Sequence, residues 1–170
     1  DIPLVKQIIN RDFHASVMKG RGNYLCPRRL ETLRRRKPAT LDELRTMSKI
    51  LVWMQNSESG DKGEITLRAG EWSIWTRLSA QDEGCTTHRC ATVMNGICPY
   101  YKARKSAEAA HIVIANHSLL IADAQMDNRV LPEYYQLIVD EAHQLEDAIT
   151  NGLSIRLDQY IILSRINDLG

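Results

Sequence analysis

The sequence predicts an α/β fragment in which a mostly helical, cysteine-bearing part is attached to part of a parallel α/β domain. Two observations favour this fold class. Segments with helical apolar spacing alternate with short apolar runs of the length expected for buried strands, and three of the four cysteines fall between the helical segments, within residues 85–98. The chain has 170 residues, 44% of them hydrophobic, which suits one ordinary domain or two small ones.

The first elements are predicted to be a helix and then a strand. Apolar residues recur at near-helical intervals over residues 2–9 and alternate with polar residues over 13–17. Two glycines then allow a sharp bend. Cys26 is therefore expected at a turn, and Pro27 can start the arginine-rich helix that follows.

Two further helices are predicted before the cysteine group. Thr40 is expected to cap the first of them, with Glu43 three residues later. A loop over 57–63 separates it from a second helix, on which Trp72 and Trp75 fall at helical spacing. We predict that both tryptophans belong to the core, because stacking on a nucleic acid base would require an exposed ring.

Beyond the last cysteine the pattern changes to that of a parallel crossover unit. The predicted elements are a helix (99–110), a strand (112–115), a helix (118–124), a strand (136–140) and two helices (141–149 and 155–169). A strand, a helix and a second strand within about 30 residues are typical of a parallel sheet covered by helices.

Charge is unevenly distributed along the chain, although the formal net charge is only +1. Basic residues concentrate between Arg28 and Lys37, where a solvated helix face is the favoured interpretation of residues 34–37. No apolar run approaches the roughly 20 residues that span a bilayer, and the N-terminus lacks the layout of a secretory signal. The sequence therefore predicts a soluble, cytoplasmic protein with no membrane partner.

The four cysteines follow the pattern Cys26-x58-Cys85-x4-Cys90-x7-Cys98. Cytosolic thiols are kept reduced, so metal ligation is favoured over disulfides. Three close thiolates and one remote thiolate favour an iron-sulfur cluster. Zinc stays open as an alternative, although structural zinc sites usually use tight C-x2-C pairs, and unligated thiols are a third possibility.

Two cysteine-bearing stretches resemble a known family. Residues 19–26 (KGRGNYLC) and 98–104 (CPYYKAR), together with the clustered cysteines, are similar to the iron-sulfur domain of XPD/DinG-type superfamily 2 helicases. The long linker between the first two cysteines is more like the bacterial DinG-like branch than the XPD branch. The resemblance implies a [4Fe-4S] cluster held by all four cysteines, in a domain inserted into a RecA-like motor domain.

The resemblance also implies a division of the chain into parts. The expected parts are motor domain 1 (1–18), the iron-sulfur domain (19–110), a motor domain 1 segment with the DEAH box (111–152) and the start of the arch insert (153–170). No G-x-x-x-x-G-K-[ST] phosphate loop occurs in the sequence. We therefore expect an excised fragment that does not bind or hydrolyse ATP alone, whereas the parent would use ATP and Mg²⁺.

The DEAH box, Asp140-Glu141-Ala142-His143, begins at the last residue of the predicted strand at 136–140. In open α/β sheets, strand ends of this kind border ligand sites. Asp140 would hold Mg²⁺ through its water shell, and Glu141 would orient the water that attacks the γ-phosphate. By resemblance, His143 would relay the nucleotide state. The simpler alternative is a helix that starts with acidic residues because its dipole favours them.

Basic and aromatic residues adjoin two of the cysteines and would converge if both bind one cluster. They are Arg21, Tyr24, Arg28 and Arg29 near Cys26, and Tyr100, Tyr101, Lys102, Arg104 and Lys105 near Cys98. Such a surface suits single-stranded or forked DNA. Asn116 and His117 match a further family motif and are weaker candidates. The resemblance implies a monomeric parent that unwinds DNA with 5′ to 3′ polarity; a zinc-stabilised binding module and a redox sensor stay open as alternatives.

Overall fold

The computed structural model describes residues 2–81, 85, 86, 88, 90 and 97–154. The chain forms two compact units, Asp1–Ala115 and Asn116–Gly170, and each unit is described by itself.

The first unit contains helices and two short strands. In chain order these are α1 (Ile2–Ile9), β1 (Ala15–Val17), α2 (Pro27–Arg36), α3 (Leu41–Trp53), α4 (Ala69–Leu78), α5 (Pro99–Glu108) and β2 (Ile112–Ile114). Short 3-10 turns occupy Arg21–Asn23 and Lys62–Glu64. Each helix and strand predicted for residues 2–115 is therefore confirmed, with ends shifted by a few residues.

The two strands form a parallel pair, with Ala15 opposite Ile112 and Val17 opposite Ile114. The backbone N–H of Met18 extends the pairing by donating to the Ile114 carbonyl at 2.9 Å. Parallel neighbours require a long connection, and here the connection is the helical, cysteine-bearing part of the unit. The α/β fold class is confirmed in this small form.

The core of the first unit lies among α2, α3 and α4. Its buried members are Leu25, Leu30, Leu33, Ile50, Leu67, Ile74, Trp75 and Leu78. The Trp75 indole N–H donates to the Gly22 carbonyl at 3.0 Å, which ties α4 to the glycine-containing bend. Trp75 is thus a core residue, as predicted.

Trp72 corrects the prediction that both tryptophans are buried. Its side chain is 39% exposed, because α4 turns Glu71, Ile74, Trp75 and Leu78 inward and position 72 outward. The ammonium of Lys62 lies 5.7 Å from the centre of the Trp72 ring, a cation–π contact at the surface.

The second unit contains α6 (His117–Gln125), a 3-10 turn (Ala142–Gln144) and α7 (Leu145–Leu153). Helices α6 and α7 pack closely at Gly152, where a Cβ atom would lie 2.9 Å from Cγ2 of Ile121. Asp123, fully buried on α6, accepts hydrogen bonds from the N–H groups of Val130 and Leu131 at 2.8 Å each. This carboxylate fixes the chain that follows α6.

The predicted strand at 136–140 is wrong for this structure. The segment is irregular, and the Ile138 side chain is 92% exposed. A strand needs a neighbour for its backbone groups, and the described residues of this unit contain no other strand. The predicted crossover from 112–115 to 136–140 is therefore absent, and the parallel partner of β2 is β1 instead.

The predicted helix at 141–149 begins later, at Leu145, because Glu141 has a left-handed backbone (φ 50°) and a 3-10 turn follows it. It ends at Leu153, four residues beyond the predicted end at 149. The predicted last helix at 155–169 lies outside the described residues. Among the residues that are described, no helix combines the length and apolar character needed to cross a bilayer.

Candidate cysteine centre and DEAH segment

The segment that carries Cys26 is held from two sides by backbone hydrogen bonds. The N–H of Leu25 donates to the Gly60 carbonyl at 3.1 Å, and the N–H of Cys26 donates to the Leu78 carbonyl at 2.8 Å. The N–H of Ala80 donates in turn to the Tyr24 carbonyl at 2.8 Å. These bonds fix Cys26 in a buried position between the loop before α4 and the end of α4.

Gly60 brings the Cys26 segment and the start of α5 together. Its backbone is left-handed (φ 65°), and a Cβ atom there would lie 2.4 Å from Cγ of Pro99. Only glycine tolerates both conditions. Cys98 is buried and directly precedes Pro99. Because Pro99 packs against Gly60, and Gly60 accepts the Leu25 N–H, Gly60 connects the Cys98 segment to the Cys26 segment.

Cys85 and Cys90 complete the set of four buried, free cysteines. Their sulfur atoms lie 3.9 Å apart, and the N–H of Cys90 donates to the Thr86 carbonyl at 3.0 Å. The Arg21 guanidinium donates to the Cys85 carbonyl at 2.9 Å, which attaches this pair to the bend that precedes Cys26.

The thiols interact electrostatically. Burial raises the pKa of Cys85, opposed by the Cys90 hydrogen bond and the Arg21 charge and reinforced by Cys98 and Cys26. Burial, together with Cys98 and Cys85, raises the pKa of Cys90 to about 12. Without a metal, both thiols therefore hold their protons at neutral pH, and metal binding would have to release them.

The four thiols are of the kind that binds a metal as thiolates, although their positions do not form a coordination sphere around a single ion. Among the described residues, no three histidine, cysteine or acidic side chains are grouped closely enough to hold a single metal ion. Two thiolates on one tetrahedral zinc, each at about 2.3 Å, would stand about 3.8 Å apart, near the separation of Cys85 and Cys90. An iron-sulfur cluster would use all four cysteines, and all four are buried and uncommitted.

Several predicted DNA-contacting residues pack around this centre. Tyr24 and Tyr100, 2% and 5% exposed, meet edge to face with ring centres 5.7 Å apart. The Arg21 guanidinium lies 5.2 Å from the centre of the Tyr100 ring. Stacking on a base would require exposed faces of these tyrosines. In this structure the Tyr100 ring instead contacts Arg21, and the Tyr24 ring packs against Tyr100.

Arg21 is partly buried against this centre. Burial acts to lower its pKa, yet the pKa is raised because Tyr100 and the Cys85 and Cys90 thiols favour the charged guanidinium. A permanently charged group beside the Cys85 and Cys90 thiols is suited to compensating the negative charge of bound thiolates.

The remaining predicted contacts on α5 are more open. Lys102 is exposed, and the Lys105 ammonium lies 6.0 Å from the centre of the Tyr101 ring. Arg104 and Lys105 both pair with Glu108, at 3.1 and 2.7 Å. Arg28 and Arg29 lie on α2, where they line a separate groove.

In the second unit, the DEAH segment and the Asn116-His117 pair are brought together. His117 donates through Nε2 to the Asp140 carbonyl at 3.0 Å, and the Asn116 side chain caps α6 by accepting from the Leu119 N–H at 3.0 Å. The Asp140 carboxylate accepts the Glu141 N–H at 2.9 Å. His143 Nδ1 lies 3.3 Å from a Glu141 carboxylate oxygen. The three predicted catalytic side chains therefore lie within four residues of the chain, and all three are solvent-exposed.

Residues 86–162 match the sequence model of the DEAD_2 family. The chain is 31% identical over 172 residues to a Bacillus subtilis (strain 168) protein named 3′-5′ exonuclease DinG, covering 99% of this chain and 18% of the relative. It is 31% identical over 172 residues to the ATP-dependent DNA helicase DinG of Salmonella typhimurium, covering 91% of this chain and 24% of that protein. It is 29% identical over 186 residues to the ATP-dependent helicase DinG of Mycobacterium tuberculosis (strain H37Rv), covering 92% of this chain and 28% of that protein.

These matches confirm the resemblance found in the sequence and identify the chain as a DinG-like segment. The chain spans between 18% and 28% of the length of these relatives.

Sequence reasoning missed two residues that organise the first unit. Gly60 was assigned only to a flexible loop, although a conformational role for it depends on Pro99, which lies 39 positions further along the chain. Glu43 was recognised only as a helix-start residue, yet its carboxylate is buried and pairs with Arg36 and Arg77. The signal available for Glu43 was its nearness in sequence to the arginine cluster.

Proposed function

We propose that the chain is part of an ATP-dependent DNA helicase that unwinds DNA with 5′ to 3′ polarity. In this proposal Cys26, Cys85, Cys90 and Cys98 hold a [4Fe-4S] cluster, and the domain built around the cluster guides or separates the strands. The observation that carries the proposal is the burial of four free cysteines in one unit. The helicase names of the relatives support it.

The cluster would serve structure in this proposal. It would join segments separated by as many as 58 residues, and closing such loops opposes their conformational entropy. Arg21 would balance the thiolate charge from its place beside Cys85. Lys102, Arg104, Lys105 and Tyr101 would contribute to a surface for single-stranded or forked DNA.

The DEAH segment would form half of the ATPase centre. Asp140 would hold Mg²⁺ through water, Glu141 would orient the attacking water and His143 would relay the nucleotide state. Because the sequence contains no phosphate-binding loop, ATP would bind only together with other parts of the parent protein. We propose that the parent works in the cytoplasm as a monomer. The exonuclease name of one relative is not extended to this chain, which covers 18% of that protein.

A zinc-stabilised nucleic-acid-binding module is the second candidate, and one observation favours it. The 3.9 Å separation of the Cys85 and Cys90 sulfur atoms is close to the spacing expected for two thiolates on one zinc ion. The two candidates differ in the metal that the same four cysteines would hold.

Metal analysis tests the proposal. The chain is purified without oxygen, and iron, acid-labile sulfide and zinc are measured per chain together with the visible spectrum. We expect about four irons and four sulfides. The Cys85→Ser variant should lose them, because serine removes one of the four thiolates.

The matched control is Ser79→Ala, a small change at a fully buried position next to Leu78, whose carbonyl accepts the Cys26 N–H. This variant should retain its iron. One zinc per chain and no iron under these conditions would contradict the cluster and support the zinc-stabilised module. If the Cys85→Ser variant retained its iron, Cys85 would not be a ligand.

A further inference from the structure

An arginine-lined groove lies on the first unit, among α2, α3 and α4. Its volume is about 430 Å³, and its lining residues are Arg28, Arg29, Thr32, Leu33, Arg36, Glu43, Ile74, Arg77 and Leu78. The walls thus carry four arginines and a single carboxylate, over a floor that three apolar side chains form. None of the groove's charged residues belongs to the cysteine centre or the DEAH segment.

Glu43 holds two of these arginines in place. It is 4% exposed, and its Oε1 accepts from Arg36 at 2.7 Å and from Arg77 at 2.9 Å. Its Oε2 accepts the Ala39 N–H at 2.8 Å. Both carboxylate oxygens are occupied within the protein. Glu43 therefore positions Arg36 and Arg77, and the two guanidinium charges outweigh its single negative charge.

Arg36 and Arg77 keep donors for a ligand. Each guanidinium has five N–H groups, and the side chains of Arg36 and Arg77 are about half and more than half exposed despite their bond to Glu43. Arg29 donates to the Arg77 carbonyl at 2.7 Å, which anchors the α2 wall of the groove to α4. The charged groups are therefore preorganised by the protein, which reduces the entropy lost on binding.

Two of the arginines lie in line along α2. Arg28 and Arg36 are eight residues apart on this helix, or about 12 Å along its axis. Thr32 lies between them, and its hydroxyl donates to the Arg28 carbonyl at 3.0 Å. An arrangement of this kind suits a linear polyanion better than a single ion. Guanidinium groups match phosphate oxygens in pairs. The apolar floor of Leu33, Ile74 and Leu78 is almost fully buried, so the arginines are the groups that a strand would contact.

We propose that this groove binds the phosphodiester backbone of single-stranded DNA, with Arg28, Arg36 and Arg77 contacting phosphates and Glu43 positioning two of them. The proposal deepens the proposed function, because it locates a strand contact on the first unit, and it rests on that function for the choice of DNA. It also assigns a role to Arg36 that differs from the solvated helix face predicted for residues 34–37.

Charge-matched variants of the whole chain test this. Arg28→Gln/Arg77→Gln removes two charges from the groove. Arg34→Gln/Arg35→Gln removes two charges from α2 outside the groove, where both arginines form exposed ion pairs with Glu31. Binding of a fluorescein-labelled oligothymidylate is measured by anisotropy over a range of salt concentrations. The groove variant should bind about tenfold more weakly, with a salt slope smaller by about 1.4 for two lost phosphate contacts; the control should change the affinity less than about twofold.

A second pair of variants leaves the Glu43 network intact. Thr32→Glu places a carboxylate in the groove at an exposed position on α2, and Ser73→Glu places the same charge at an exposed position on α4 outside the groove. Thr32→Glu should weaken binding and Ser73→Glu should not. Equal losses of affinity in both members of each pair would mean that the charge acts from a distance. That result would overturn the proposal that the groove binds the strand.

Competitors identify the ligand. Displacement of the probe by inorganic phosphate at constant ionic strength would assign the groove to a free phosphoryl group, and equal displacement by polyglutamate would assign it to an acidic polypeptide; either result overturns the strand assignment. Absence of probe binding by the unchanged chain at low salt also overturns it. The cluster is tested separately, by iron and sulfide content. Loss of support for DNA binding in the groove can therefore be distinguished from loss of support for the cluster.

Discussion

Glu43 is a buried carboxylate whose ionisation is coupled to folding. The Ala39 N–H and the Arg36 guanidinium, with Arg77, outweigh its burial and lower its pKa from 4.5 to about 2. A lowered pKa means that the stabilisation is fully present above pH 4.5 and is lost as the pH falls towards 2. We expect Glu43→Gln to have a lower free energy of unfolding than the unchanged chain at pH 7, with the difference shrinking between pH 4.5 and 2 in urea titrations.

The control for this prediction is Glu31→Gln. Glu31 is exposed and its pKa is also lowered, chiefly by Arg35, but surface pairs of this kind contribute little to stability. The free energy of unfolding of Glu31→Gln should differ little from that of the unchanged chain at every pH. A Glu43→Gln deficit that stays constant from pH 7 to pH 2 would show that the charge of Glu43 is not what stabilises the unit.

Gly60 is the residue at which the two cysteine-bearing turns approach each other. An alanine there would place its Cβ 2.4 Å from the Pro99 ring and would adopt φ 65°, so we expect Gly60→Ala to lower the free energy of unfolding by at least about 1–3 kcal/mol, the usual cost of a strained backbone conformation. Chemical denaturation measures this. Gly20→Ala, whose Cβ would meet only Asn23 at 3.7 Å, should cost much less, and equal effects of the two substitutions would contradict a special role for Gly60.

At the scale of elements, local signals in the sequence were sufficient for the helices and insufficient for strand pairing. The cap of α3 was predicted from Thr40 and Glu43, and Thr40 Oγ1 does accept the Glu43 N–H at 3.1 Å. Pairing depends on a partner that no local pattern specifies. Residues 112–115 and 136–140 have similar apolar character, but only the former finds a parallel neighbour, contributed by β1 almost a hundred residues earlier.

Helix α6 begins with a cap whose loss should be measurable at single amides. Asn116→Ala removes the side-chain acceptor of the Leu119 N–H and leaves only the Asn116 carbonyl, at 3.1 Å. The loss should cost about 1 kcal/mol and speed hydrogen exchange at Leu119. Asn116→Asp retains an acceptor oxygen and serves as the control, with exchange close to that of the unchanged chain. Fast exchange in both variants would mean that the amide group of Asn116, rather than its oxygen, stabilises the helix start.

At the scale of the whole molecule, the residue types of the candidate sites could be predicted more fully than the way in which distant segments come together to form them. Four cysteines with this spacing pointed to a thiolate centre, and all four are buried and free. Arg77, by contrast, is separated from Arg28 and Arg36 by a loop and an entire helix, so nothing local assigns it to the same groove. Convergence of distant segments is decided by packing of α2, α3 and α4, which periodicity alone does not specify.

Removing the metal should affect the two units differently. If the four cysteines are joined through a cluster, its loss frees the Cys26 segment from the segments that carry Cys85, Cys90 and Cys98, and the entropy of those loops then opposes their ordered state. We expect cluster loss by exposure to air to speed hydrogen exchange at the amides of Leu25, Cys26 and Ala80, which bond across this region. The Leu120 amide, bonded within α6 to the Asn116 carbonyl, provides the internal control and should keep its rate. Equal acceleration at Leu120 would indicate general unfolding, and unchanged rates at all four amides would mean that the metal does not order the first unit.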